Sequence, residues 1–258
     1  MTTISASAVA SLRARTGVSI LACKEALVEA EGDEEKAIDI LRKRGIAQAA
    51  KKAARDQSEG LVFIAEGSGK ASLVFLRCET DFVARDENFR KAGAEIAADL
   101  LAGGAARAEE KAASLIPALV QKLWENISVG EMHCIEGGTL GAYLHTNAKI
   151  GVLIALNGGT VTAARDCAMH AAAMSPRYVA PGDVAADSVE KEKEIWREQL
   201  KKEGKPEAIW DKIMLGKEKK FRDENALLKQ PFVKDPQKTV EQYLAPATVT
   251  QYVRVSVS

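Results

Sequence analysis

The chain has 258 residues, with 36 basic against 36 acidic side chains, 47% hydrophobic and 28% charged residues. Hydrophobic content of that size excludes a mainly disordered chain, and a formal net charge of zero excludes a global basic field for binding phosphate backbones. No run of about 18 apolar residues occurs, which excludes a membrane-spanning helix.

The start, Met1-Thr2-Thr3-Ile4, has neither the charged and apolar regions of a secretory leader nor the Arg-rich character of a transit peptide. The predicted elements begin with a three-helix domain over 1–50. Its first helix, over 5–16, carries Ala8, Val9 and Leu12 on one face and stops at Gly17. The second, over 20–30, repeats Cys23, Ala26 and Leu27 at helical spacing. Asp33 caps the third, with Glu34 and Glu35 well placed in its first turn. Ala37, Ile38 and Leu41 face inward, and an end near Arg44-Gly45 is expected. The Ala-, Lys- and Gln-rich stretch over 47–59 reads as a linker that can be helical, and 51–60 is assigned as the interdomain segment.

From Leu61 the pattern becomes strand-like. Leu61-Val62-Phe63-Ile64 and Ser72-Leu73-Val74-Phe75-Leu76 are joined by a hairpin at Gly67-Ser68-Gly69. Asp86 caps a helix over 87–101 that buries Phe89, Ile96 and Leu100 and ends at Gly103-Gly104. A further helix over 114–125 carries Leu119, Leu123 and Trp124 on or near one face. Strands at 127–135, 140–145 and 150–156 precede an Ala-rich helix over 163–174, stopped by Ser175-Pro176. Strand, hairpin, strand and helix thus occur twice, at 61–101 and 139–174, with weak sequence identity between them. The fold class is therefore α+β, with one core subdomain over 61–137 and another over 138–182 and 224–230.

Residues 183–223 mix dense charges of both signs with Val189, Trp196 and Leu200 on one side. Gly204-Lys205-Pro206 breaks the run, and Ile209, Trp210, Ile213, Met214 and Phe221 follow. This predicts an inserted antiparallel helical hairpin. A short C-terminal module over 231–258 follows Gln230, with Pro231-Phe232-Val233, a helix over 239–244 and a strand over 249–257.

The search for chemistry is mostly negative. Cys23, Cys78, Cys134 and Cys167 show no CxxC spacing and read as reduced core thiols of a cytoplasmic protein. Gly67-Ser68-Gly69-Lys70-Ala71-Ser72 fails as a phosphate loop, because Ile64 stands where the first Gly belongs and Ala71 replaces the Ser/Thr. His133, His145 and His170 lack metal-ligand spacing; His170 reads as packed in a helix and His145 as exposed beside Thr146-Asn147. No nucleophile elbow, zinc-binding helix or paired-carboxylate constellation stands out, and nothing requires an enzyme. One segment is unusual. Across Cys78-Glu79-Thr80-Asp81-Phe82-Val83 an acid and an aromatic sit side by side where a strand ends. In extended backbone adjacent side chains point opposite ways, so one of them is presented outward as a candidate binding edge.

The segment Thr80-Asp81-Phe82-Val83-Ala84-Arg85-Asp86-Glu87-Asn88-Phe89 closely resembles the signature of the bacterial elongation factor Ts family. Further matches in family order are Leu12-Arg13-Ala14-Arg15-Thr16-Gly17, Cys23-Lys24-Glu25-Ala26-Leu27, Glu125-Asn126-Ile127, Gly141-Ala142-Tyr143-Leu144-His145 with Ile150-Gly151-Val152-Leu153, Ala168-Met169-His170-Ala171-Ala172, and Gln230-Pro231-Phe232-Val233. The resemblance implies a ubiquitin-associated-like N-terminal domain, two α+β core subdomains, a coiled-coil hairpin and a C-terminal module. It implies guanine-nucleotide exchange on elongation factor Tu, in GDP-bound and nucleotide-free forms, during translation.

By the same resemblance, the Thr80–Val83 segment disturbs the magnesium of the partner GTPase, with Asp81 and Phe82 intruding. Arg13, Ile20 and Leu21 dock the GTPase domain, and Leu123, Trp124 and His145 are further contacts. Three departures stand out: Ile20-Leu21 replaces a Met pair, Trp124 stands where Gly is common, and Asp86 replaces a frequent Asn. Magnesium and GDP belong to the partner, so no cofactor, direct nucleotide binding, membrane contact or strong nucleic-acid binding is expected of this chain. The rival reading is an RNA- or ribosome-associated module, suggested by Lys51-Lys52 and Lys217-Glu218-Lys219-Lys220.

Overall fold

A computed structural model describes residues 4–257; Met1-Thr2-Thr3, on which the reading of the leader rests, and Ser258 lie outside the described residues. The chain divides into two compact units. The first holds the described residues up to Cys134, with Leu144–Gly151 and those from Val255; the second holds Ile135–Tyr143 and Val152–Arg254.

The first unit opens with α1 (Ala6–Thr16), α2 (Ile20–Glu29) and α3 (Glu34–Lys52). Ser5, Ser19 and Asp33 cap them by accepting from the N–H groups of Ala8, Ala22 and Lys36. Val9, Leu12, Val18, Cys23, Ala26, Leu27, Ala37 and Leu41 form their shared core, as their spacing indicates. α3 runs well past the expected stop at Gly45. The residues that follow, Ala47 to Lys51, are strong helix formers, and Ala49 packs against the neighbouring core.

β1 (Glu59–Gly67) and β2 (Lys70–Cys78) pair antiparallel, with Gly67 opposite Lys70 across the two-residue turn Ser68-Gly69. β3 (Ser128–Glu136) completes a sheet of order β1-β2-β3. Next come α4, a single turn and a half at Asp81–Arg85, and α5 (Glu87–Leu123). α5 is broken at Gly104, with φ 75° and ψ −171°, a conformation only glycine adopts readily. The expected stop is therefore a fold-back. The residues left unassigned after it are helical, and the two halves run antiparallel. Asn88 accepts from Lys122 at 2.8 Å, Glu95 pairs with Lys111 at 3.7 Å, and Asp99 accepts from Arg107 at 2.6 Å. Phe89, Ile96 and Leu100 of the first half and Leu119 and Val120 of the second bury against Leu61, Val74, Leu76 and Cys78.

A second sheet, of order β4-β5-β8, is formed by β4 (Thr139–Leu144), β5 (Ile150–Asn157) and β8 (Thr248–Ser256). α6 (Val161–Met174) lies directly on it. A Cβ on Gly141 would stand 2.2 Å from the Ala164 carbonyl carbon, so this close approach requires glycine. α7 (Ala186–Lys202) and α8 (Trp210–Asn225) make the expected hairpin. Val189, Trp196 and Leu200 are its buried seam, Phe221 meets Trp196 edge-on at 5.9 Å, and Lys193 bridges to Glu218 at 3.0 Å. Ile209, expected in the seam, is 43% exposed, because it ends the turn before α8 begins.

β6 (Pro231–Phe232) and β7 (Asp235–Thr239) form a small ribbon the sequence did not announce, followed by α9 (Val240–Leu244). Phe232 stacks on Tyr243 at 4.1 Å and lies 5.9 Å from the His170 ring. His170 is fully buried, as expected: its Nδ1 accepts from the Val233 N–H and its Nε2 meets Gln230 Oε1 at 3.0 Å. Burial holds its pKa below the usual histidine value.

The α+β class is as expected. Of the four cysteines, Cys23, Cys78 and Cys167 are core thiols, but Cys134 is exposed, on the outer face of β3. Burial pushes the Cys78 and Cys167 thiols up to about 12, which leaves them unreactive. Among the described residues no helix is long and apolar enough to cross a membrane, and no group of three His, Cys, Asp or Glu is placed to hold a metal.

Candidate functional site

Asp81 and Phe82 are not in extended backbone; they open α4, and Thr80 is its N-cap. The Thr80 hydroxyl accepts from the Val83 N–H at 3.4 Å. Successive helical side chains are about 100° apart. In this short helix Val83 and Ala84 therefore face inward and are buried, while Asp81, Phe82 and Arg85 share the outer arc. The outcome is sharper than alternation predicted. Both members of the pair are on the outside, and Phe82 is 81% exposed. Val83 is the anchor of the turn rather than part of its surface. Asp81 pairs with Arg85 at 2.8 Å, a solvent-exposed contact of small energy.

Both ends of α4 are fixed. At its C-terminal end Asp86 caps α5, accepting from the N–H groups of Asn88 at 2.8 Å and Phe89 at 3.4 Å. At its N-terminal end Glu125 accepts from the Thr80 hydroxyl at 2.5 Å and from the N–H groups of Thr80 and Glu79, both at 3.0 Å. The Asn126 N–H donates back to Glu79 at 2.6 Å, and the Asn126 side chain donates to the Arg55 carbonyl at 2.9 Å. Glu125 and Asn126 stand in the sequence only as part of a family match, Glu125-Asn126-Ile127, with no role attached. Their partners lie more than 40 positions away in the chain, so the motif marks the residues but not what they hold.

Leu123 is half-buried at the end of α5, but Trp124 is not on a helical face. It is the C-cap, at φ 61°, in the left-handed region where glycine is favoured. That is why glycine suits the position. Trp124 is 62% exposed, and its carbonyl accepts a hydrogen bond from Lys52, whose ammonium also lies 4.8 Å from the ring centroid. Burial holds the Lys52 ammonium below the usual lysine range.

A groove beside Asp81 is lined by Arg85, Arg90, Leu144, Thr146, Asn147 and Lys149. His145 opens the turn at its edge, donating its N–H to the Ile150 carbonyl at 2.9 Å and accepting from the Ala148 N–H. Its side chain is half-buried rather than exposed. Arg13 and Ile20 line a separate apolar groove with Ile4, Val9 and Ala10. Ile20 and Leu21 are exposed although both are large and apolar, one just after the Ser19 cap and one beside it. The ten expected residues thus fall into two groups, Arg13, Ile20 and Leu21 on the N-terminal helices and the remainder around α4, the α5 cap and the β4–β5 turn.

Residues 79–258 match the family model described as Elongation factor TS. Curated relatives agree over the whole length. The chain is 44% identical to "Elongation factor Ts" of Aliivibrio fischeri over 261 residues, covering 100% of this chain and 92% of the relative. It is also 44% identical to the protein of that name from Francisella tularensis subsp. novicida over 269 residues, covering 100% and 93%. With the Saccharophagus degradans protein of the same name, identity is 46% over 268 residues, covering 98% and 91%.

Proposed function

Because the chain belongs to the elongation factor Ts family of translation elongation factors, we propose that it binds elongation factor Tu carrying GDP and promotes GDP release, so that GTP can rebind. It acts as an exchange factor and not as an enzyme: it makes and breaks no covalent bond. Magnesium and nucleotide are held by the partner throughout.

The observation that carries this reading is the outward aromatic at Phe82, on a short helix fixed at both ends. Exchange requires linked equilibria: the factor must weaken nucleotide binding by the same factor as nucleotide weakens its own. A thousandfold effect corresponds to about 4 kcal/mol. An exposed, pre-positioned phenyl ring that becomes buried in the complex has surface enough to supply much of that. Asp81 leaves its exposed partner Arg85 at little cost and brings negative charge to a site organised around a divalent cation. Arg13, Ile20 and Leu21 offer an apolar surface with one cationic edge, suited to docking rather than displacement.

The charge of the Lys217–Lys220 run, which suggested an RNA-binding module, is partly compensated. Lys219 pairs with Asp223, Lys220 with Glu224, and Lys217 donates to Gln199. The direct test is release of labelled GDP from elongation factor Tu with catalytic amounts of this chain. An accelerated release is expected; a rate equal to spontaneous release overturns the proposal.

A further inference from the structure

We propose that Glu125 is the positioning residue of the exchange site, the group that holds the Asp81–Arg85 turn ready for insertion; this rests on the reading above. α4 has only five residues, and a helix so short has no stability of its own. Only Val83 and Ala84 tie its body to the core. Its direction is therefore decided at its two ends. The C-terminal end is set by Asp86, which belongs as much to α5 as to α4. The N-terminal end has no such continuation: β2 finishes at Cys78, and Glu79 and Thr80 cross to the helix outside any sheet ladder.

Glu125 supplies what is missing there. One carboxylate oxygen accepts both backbone N–H groups of Glu79 and Thr80, and the other accepts the Thr80 hydroxyl. The return bond from the Asn126 N–H to Glu79, and the 3.4 Å contact between Glu79 and Arg55, close the stitch from the other side. The turn that leads into the intruding helix is thus sewn to the turn that leaves α5. The hydroxyl that Glu125 orients is the same one that caps Val83, so the carboxylate acts on α4 through Thr80 and has no need to touch the partner.

The consequence is kinetic. A segment free to move must be ordered when it inserts, and fixing the backbone of one residue costs a factor of about 5–30 in the equilibrium. Glu125→Ala frees Glu79 and Thr80 from their shared acceptor. Exchange activity at sub-saturating concentration is expected to fall by about that factor, with a smaller change at saturation. Glu125→Gln keeps one carbonyl oxygen for the two N–H groups, while its amide donates to a Thr80 hydroxyl turned to accept. It is expected to restore the rate to within about threefold of the parent.

The experiment measures GDP release from elongation factor Tu by the full-length parent, Glu125→Ala and Glu125→Gln. Hydrogen exchange of the Glu79 and Thr80 amides is followed in the free chains, with thermal melts confirming that each is folded. Support is a loss of amide protection in Glu125→Ala that tracks the loss of exchange and is recovered in Glu125→Gln. Normal GDP release by Glu125→Ala overturns this inference and leaves the exchange reading standing. A loss that Glu125→Gln fails to restore, with amides still protected, shows a charge acting directly on the partner and also overturns it. A parent chain that does not accelerate release brings down the exchange reading, and this one with it.

Discussion

Phe82→Ala separates a wedge from a core residue more cleanly than any other change. A phenylalanine side chain presents roughly 150–250 Å² for burial, and Phe82 keeps 81% of its surface in water in the free chain. About 120–200 Å² therefore remains to be buried on insertion, which at about 25 cal/mol/Å² is an upper bound of about 3–5 kcal/mol. At about 1.4 kcal/mol per tenfold, even half of that bound predicts at least a tenfold loss of exchange rate. The same exposure predicts almost no cost to the free protein, under about 0.5 kcal/mol, as for other surface substitutions outside caps and cores. Both quantities belong on one preparation: GDP release followed with a fluorescent nucleotide, and stability from a urea titration. Asp81→Ala serves as the internal comparison. Its carboxylate is partly solvated and already paired with Arg85, so a smaller loss of exchange is expected than from Phe82→Ala. The reasoning is refuted if Phe82→Ala destabilises the free chain by several kcal/mol while its folded fraction still exchanges nucleotide at the parent rate.

Three further outcomes follow from other parts of the molecule. Trp124 sits at φ 61°, so Trp124→Gly relieves left-handed strain of about 1 kcal/mol while losing a cation–π contact of about 0.5–1 kcal/mol with Lys52; a near-zero net change in urea stability is expected, with Trp124→Ala the worse of the two, and an Ala variant as stable as the Gly variant would remove the strain argument. His170 has its folded pKa lowered by burial, so the unfolded chain binds the extra proton first; its stability contribution is full above the ordinary histidine value near 6.5 and is lost as pH falls below it, with a slope of at most about 1.4 kcal/mol per pH unit, and melts between pH 7.5 and 5.5 should show that slope in the parent and lose it in a folded His170→Gln variant. Replacing 190–217 by a short flexible linker should leave GDP release within about twofold, because the hairpin base is held separately by Arg222 on the Pro181 and Val184 carbonyls; a loss as large as that of Phe82→Ala would make the hairpin part of the exchange surface.

What could be read in advance follows the range of the forces involved. The periodic burial of Val9, Leu12, Cys23 and Leu27, and the seam of Val189, Trp196 and Leu200, are repeats along one helix and show in the sequence directly. Gly103-Gly104 was legible as a break but not as a fold-back. What turns the chain back there is the core that both halves share, with Asp99 paired to Arg107 near the turn and Asn88 to Lys122 at the far end. Trp124 hid a left-handed cap, because the residue that ordinarily marks one is glycine.

The site divides along the same line. That one of Asp81 and Phe82 is presented outward could be read from their adjacency; that Phe82 is displayed, at 81% exposure, could not. That both point outward needed the short helix, and the helix needs Glu125, which is 45 positions from Thr80. A display residue is a local property of the chain, whereas the rigidity that makes it an effective wedge is not. A wedge at the end of a loose strand would be ordered only at the moment of insertion, at the partner's expense. Held at Asp86 on one side and Glu125 on the other, this one would, on the proposed reading, meet its partner already in place and leave the energy of burying Phe82 free to act on the nucleotide site.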